Sequence, residues 1–226
     1  MNKKRKKRKR LKIKSVLIFI LVLIGIALLG YAVTLIKVRS YYVKNNIYLT
    51  DEEVLKELKL DDKSSFLLTN SIVEKGIIRK SKLIKDIKIK RNIDLEMTIE
   101  VEEYKVLFYD NNIKKTILEN GNEIDYDDSD IPVLMNKIDT EDVYKYFVKK
   151  MGKVNKDTLN MISEITYSPN GIDKERFLLS MNDGNYVYVT LTKLSKINDY
   201  KSIINSVENK KGILYLDYGN YFVPKE

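Results

Sequence analysis

Residues 16–36 read VLIFILVLIGIALLGYAVTLI, twenty-one positions without a charged side chain. As a helix rising about 1.5 Å per residue, such a run covers roughly 30 Å, the thickness of a bilayer's hydrocarbon core. The residues before it are as one-sided as the run is apolar. Lys3, Lys4, Arg5, Lys6, Lys7, Arg8, Lys9, Arg10, Lys12 and Lys14 stand in a tail with no acid. Basic residues flanking a span stay on the cytoplasmic side, so the expected topology has residues 1–14 inside, 15–36 as a transmembrane helix, and the rest outside. A cleaved signal peptide has the same order of charge and apolarity. Its apolar core is about 7–15 residues, however, and ends at a small-residue site. The exit Thr34-Leu35-Ile36-Lys37 offers none, and an uncleaved anchor is expected.

The position of the charge also decides what the net +9 means. Ten basic residues lie in the tail, so the remainder of the chain carries one net negative charge. That is no electrostatic footprint for nucleic acid. Against a bilayer the tail fixes topology and meets anionic lipid. The outer region has neither Cys nor His. This excludes disulfides and thiolate chemistry, and removes the commonest general base and zinc ligand.

Past the span, Tyr41 to Val43 favours a strand. Thr50-Asp51-Glu52-Glu53 has the form of a capping box opening a helix with Val54, Leu55 and Leu58 on one face. A weaker helical pattern covers 71–78, interrupted by Gly76. Ile87 and Ile89 then alternate with Lys88 and Lys90. Leu95, Met97, Ile99 and Val101 alternate with Glu96, Thr98, Glu100 and Glu102, the period of a strand with one buried face. Residues 37–108 therefore read as a β-α-α-β-β unit.

Residues 109–226 are expected to form a strand-rich mixed β domain. Asn120-Gly121 and Asn182-Asp183-Gly184-Asn185 each lie between apolar runs and mark hairpins. Leu194, Ile197, Ile204 and Val207 recur at helical spacing, and 142–150 and 158–164 read as short helices. Residues 213–223 read as one final strand, with Leu214, Leu216 and Tyr218 alternating with Tyr215 and Asp217. Which alternate set faces outward stays open.

Candidate chemistry is sparse. Asp125, Asp127, Asp128 and Asp130 suggest a calcium loop, but a loop starting at Asp125 has Asp130 where glycine is needed and Asn136 where glutamate is needed. A solvated loop is expected. Glu96, Glu100 and Glu102 share a strand face, which is ordinarily the solvent side of a sheet.

The whole succession resembles the FtsQ/DivIB family of bacterial cell-division proteins. Val43-Lys44-Asn45-Asn46 followed by Thr50-Asp51-Glu52-Glu53-Val54 is similar to the opening of that family's POTRA domain, with Asn45 in place of its glycine. Ile87-Lys88-Ile89-Lys90-Arg91 and Met97-Thr98-Ile99-Glu100-Val101-Glu102-Glu103 resemble its strand pair, with Asp94 and Val106 where prolines are usual. Leu118-Glu119-Asn120-Gly121, Ile131-Pro132-Val133-Leu134, the segment from Gly184 to Val189 with Lys196-Ile197 and Ile203-Ile204, and Tyr215-Leu216-Asp217-Tyr218 continue the likeness, without the family's closing Arg.

The resemblance implies an α+β fold: one transmembrane helix, a POTRA-like domain, then a strand-rich mixed β domain. It implies a non-enzymatic division scaffold at the septum, without cofactors. Its partners would be FtsL-like and FtsB/DivIC-like bitopic proteins and, indirectly, septal peptidoglycan synthases. Leu214, Leu216, Tyr218, Tyr221 and Phe222 are the expected contact side chains along an edge that accepts a partner's strand. Two alternatives share the anchor: an envelope enzyme using carboxylates on wall polymer, and a sporulation or envelope-assembly scaffold.

Overall fold

The computed structural model describes residues 13–126 and 130–225. Helix α1 (Ile13–Leu35) is the long apolar helix, with no residue buried against the rest of the chain. It is long and apolar enough to cross a membrane. The chain divides into two compact units, residues 1–80 with 86–102 and residues 81–85 with 103–226.

The first unit places β1 (Ser40–Lys44), α2 (Asp51–Glu57), α3 (Ser71–Ile78), β2 (Ile84–Arg91) and β3 (Glu96–Glu103) in the β-α-α-β-β order. Its sheet runs β1-β3-β2, with β1 parallel to β3 and Ser40 level with Glu96. The period-two pattern works as anticipated: Met97, Ile99 and Val101 are buried. Thr50 caps α2, its Oγ1 accepting from the Glu53 amide while its own N–H donates to Glu53 Oε2 at 2.8 Å. Asn45, standing where the resemblance has a glycine, adopts φ +66°. Asparagine tolerates that left-handed region better than most residues. Leu95 is a correction. It does not join the buried face but sits in the turn before β3, at φ +61° and exposed.

The second unit holds β4 (Val106–Asp110), β5 (Lys115–Leu118), β6 (Glu123–Ile124), β7 (Val133–Leu134), α4 (Glu141–Met151), α5 (Lys156–Leu159), β8 (Ile162–Tyr167), β9 (Arg176–Met181) and β10 (Tyr186–Thr190). A 3-10 helix (Leu191–Asp199), α6 (Tyr200–Ser206), β11 (Gly212–Tyr215) and β12 (Tyr221–Pro224) complete it. Among the described residues nine strands form one mixed sheet, ordered β12-β11-β10-β9-β8-β7-β4-β5-β6. Its core unites one sheet face (Phe108, Ile165, Phe177, Leu179, Val187, Leu214) with Phe147 and Met151 of α4, Leu194 and Ile197 of the 3-10 helix, and Ile204 of α6. Phe147 stacks on Phe177 with ring centroids 4.5 Å apart.

Both expected hairpins form, their glycines at φ +82° (Gly121) and +87° (Gly184). Three expectations are corrected here. Residues 158–164 are not a helix: α5 ends at Leu159 and β8 follows. A bulge between Ile162 and Glu164 lets Ile162 and Ile165 both face inward, and that three-residue spacing imitates a helix. The helix expected across 194–207 begins as a 3-10 turn. Residues 213–223 are two strands rather than one, because the chain turns at 216–220 and β12 folds back antiparallel on β11.

Candidate partner-binding edge

Strand β12 ends the sheet. It pairs with β11 on one side and has no strand on the other among the described residues. The register sets Ile213 opposite Val223, Leu214 opposite Phe222 and Tyr215 opposite Tyr221. Beyond the strand the Lys225 N–H donates to the Lys211 carbonyl at 2.8 Å. Antiparallel ladders alternate, so Tyr221, Val223 and Lys225 spend their backbone groups on β11. The Phe222 N–H and carbonyl and the Pro224 carbonyl then point to the open side. Proline in an edge strand removes one donor from that side and limits indiscriminate pairing.

The register also fixes the faces. Leu214 and Leu216 are each 1% exposed and belong to the core, and Phe222 packs half-buried against it. Leu214 and Leu216 were expected as contact residues, and that expectation is corrected: their alternate set points inward, against the helices. The outward set on the pair is Ile213, Tyr215, Tyr221 and Val223. Tyr218 and Tyr221, both candidate contacts, are exposed, and so is Val223. Val223, not among the expected contacts, lies on the outward set because the chain reverses at 216–220.

Behind this edge lies an aromatic ladder. Tyr221 stacks on Tyr215 at 4.7 Å, Tyr215 on Tyr188 at 5.5 Å, and the Arg176 guanidinium lies 3.7 Å from the Tyr188 ring centre. Arg176 Nε also donates to Asp217 Oδ2 at 2.8 Å, with both side chains largely buried. Lys193 Nζ donates to the Asp217 carbonyl at 2.6 Å, and Asp217 Oδ1 accepts the Tyr218 N–H. The turn that delivers β12 is thus pinned at Asp217. The start of β11 is pinned at Asn185, whose Oδ1 accepts the Gly212 N–H at 2.7 Å while its Nδ2 donates to the Tyr200 hydroxyl. Burial, together with the hydrogen bond to Asp183, pushes the Tyr200 hydroxyl well above the ordinary tyrosine range and keeps it neutral.

The other candidate chemistry falls into ordinary roles. Glu100 pairs with Lys90, and that hydrogen bond holds its carboxyl below the usual range. Glu96 accepts from the Tyr42 hydroxyl. Asp125 pairs with Lys115 at 2.5 Å. Asp127 and Asp128 lie outside the described residues, as do the tail's basic residues from Lys3 to Lys12; Lys14 lies in α1. A groove of about 770 Å³ beside α4 is lined by Glu119, Glu123, Glu141, Lys145 and Lys149 among others. Glu141 there is held low in pKa by Lys145 at 2.6 Å.

A family model described as the POTRA domain, FtsQ-type, matches residues 37–104. The cell division protein DivIB of Bacillus subtilis is 31% identical over 210 residues, covering 88% of this chain and 79% of the relative. This chain belongs to the DivIB family of cell-division proteins. DivIB of Bacillus anthracis is 30% identical over 202 residues, covering 86% of this chain and 76% of that one. The solved major extracytoplasmic domain of DivIB from Geobacillus stearothermophilus is 23% identical, with a TM-score of 0.40, covering 48% of this chain and 97% of that domain. On the family model and the two Bacillus relatives the resemblance and the division role stand, and the elements described above form the expected α+β fold. In this DivIB-family chain the POTRA match coincides with the β-α-α-β-β unit, and the open-edged sheet follows it.

Proposed function

We propose that this DivIB-family protein is a membrane-anchored docking platform, with its N-terminus in the cytoplasm and its two outer units at the division septum. There it holds FtsL-like and FtsB/DivIC-like bitopic partners and, through them, assists septal wall synthesis. The observation that carries this reading is the open side of β12. An extended segment laid beside it gains main-chain hydrogen bonds from Phe222 and Pro224 for affinity. Tyr221 and Val223 beside that line, and Tyr218 in the turn before it, supply the side-chain discrimination. The pinning of the neighbouring turn and of β11 supports the same reading, since a pre-ordered edge loses less entropy on binding.

A catalytic reading finds less support. Among the described residues, each carboxylate with a shifted pKa is shifted downward by a hydrogen bond or cation: Glu53, Asp61, Asp86, Glu100, Asp125 and Glu141. A carboxyl working as a general acid near neutrality needs the opposite shift.

The test is a deletion confined to residues 220–226 in the full-length chain. It removes β12 and spares Leu214 and Leu216. Loss of co-purification of the DivIC-like partner, with the fluorescently tagged protein still inserted in the membrane, is the expected result. Undiminished co-purification refutes the edge reading. A uniform membrane ring of the tagged intact protein in dividing cells, instead of a mid-cell band, refutes the septal one.

A further inference from the structure

We propose that the end of the first unit where α1 emerges is itself a lipid contact. On this view two loops carrying Leu67, Leu68 and Ile93 seat in the outer-leaflet interface beside the span. The inference rests on reading α1 as a membrane span, and on three sets of contacts.

The first set ties the 61–69 loop to the helix end. Ser65 Oγ donates to the Val33 carbonyl at 2.9 Å, inside the last turn of α1. The Phe66 N–H donates to the Ile36 carbonyl at 2.8 Å, and Lys37 Nζ to the Lys63 carbonyl at 2.7 Å. Val33 and Ile36 belong to the apolar run, and one helical turn is about 5 Å. The loop therefore lies within about one turn of the hydrocarbon boundary. The headgroup layer on each side is itself some 5–7 Å deep.

The second set brings the β2–β3 turn to the same level. The Arg39 N–H donates to the Leu95 carbonyl at 2.9 Å, and β3 starts level with the first residue of β1. The third set joins the two loops. Arg91, at the end of β2, donates through Nε and Nη2 to the carbonyls of Phe66, Leu67 and Thr69 at 2.9, 3.0 and 2.7 Å, with its guanidinium over the Phe66 ring.

Beside exposed Asp61, Asp62, Lys63 and Asp94, these loops present large apolar side chains. Leu67 and Leu68 are 43% and 53% exposed and Ile93 is fully exposed at the turn's tip. In water such a cluster is unfavourable; in the interfacial layer the same side chains find acyl chain. Lys37, Arg39 and Lys63 lie around the exit, the flank that meets lipid headgroups. Leu95 adds a second sign. It holds φ +61°, strained for a γ-branched residue, and such strain concentrates where a surface is used. A single helix leaves the unit free to swivel about its exit, whereas helix plus two seated loops fix its tilt.

The chain's lack of cysteine makes the test direct. Single variants Leu68→Cys and Ile93→Cys of the full chain are labelled with an environment-sensitive fluorophore. They are reconstituted in phosphatidylcholine–phosphatidylglycerol vesicles, with nitroxide either on the lipid at acyl carbon 5 or replaced by aqueous iodide. Ile47→Cys, beyond the far end of β1, is the water-exposed control, and Leu23→Cys reports the span. Lipid nitroxide is expected to quench the labels at 68 and 93 at least threefold more than the one at 47, with iodide giving the reverse order. Quenching by iodide equal to position 47 overturns the proposal. So does shelter from both quenchers, which would mean that protein rather than lipid covers the loops. A label at 23 untouched by lipid nitroxide overturns the span reading instead, and is distinguishable from either result.

Discussion

Arg176 Nε lies 2.8 Å from Asp217 Oδ2, and the Asp217 side chain is only 1% exposed. The pair links β9 to the turn that carries the chain from β11 to the edge strand. Removing one partner of a buried pair leaves an uncompensated charge, at a cost of about 3–5 kcal/mol. Arg176→Ala is therefore expected to lower the stability of the second unit by about that amount, read from urea unfolding followed by tyrosine fluorescence. Arg176→Lys should recover little, because an ammonium reproduces neither the planar stack on Tyr188 nor the Nε geometry.

Asn185 is fully buried and supplies the acceptor for the first amide of β11. Asn185→Leu fills a similar volume but orphans the Gly212 N–H and one bond of the Tyr200 hydroxyl. An unsatisfied buried donor costs about 1–3 kcal/mol. Hydrogen exchange should quicken at 212–216 and 221–225 while the β8–β9 amides stay protected.

Gly212 is needed for close approach. A Cβ there would lie 2.2 Å from the Val223 carbonyl oxygen and 2.7 Å from the Phe222 ring. Backbone atoms have little room to yield, so Gly212→Ala is expected to pry β12 from β11. Partner co-purification should fall by more than tenfold, with near-unchanged protection in β4 and β5.

The cap of α2 gives a pH signature. The Thr50 N–H, then the Thr50 hydroxyl, hold the Glu53 carboxyl below its ordinary 4.5. A carboxyl lowered in the folded state contributes stability that is present above its unfolded pKa and lost as pH falls through the folded value. A side-chain NMR titration should place Glu53 below 4.5, and Thr50→Ala should raise it partway, because the backbone donor remains. The same substitution should cost about 1 kcal/mol.

The sequence showed most where local chemistry and burial agreed. The Thr50–Glu53 box, the alternation of Met97, Ile99 and Val101, and the two glycine hairpins are short-range signals that the fold keeps. It misled where tertiary packing overrode a local period. The β8 bulge put Ile162 and Ile165 at helical spacing, and Val106, Leu107 and Phe108, all buried in β4, show no alternation at all. At the candidate site Tyr218 and Tyr221 were legible as candidate contacts, though which of the alternate sets faces outward was not. Their neighbour Val223 was not, nor was the inward turn of Leu214 and Leu216. Both depend on where the chain reverses at 216–220, and on the burial of Asp217 by an arginine 41 residues earlier.

The most direct test of the docking account is site-specific photo-crosslinking in dividing cells. A photoreactive residue is placed at Tyr221 or Val223 on the open edge, or at exposed Lys149 on α4 of the same unit. The account predicts adducts with the DivIC-like partner from 221 and 223 and none from 149. Adducts absent from both edge positions, or equally abundant from 149, would contradict it.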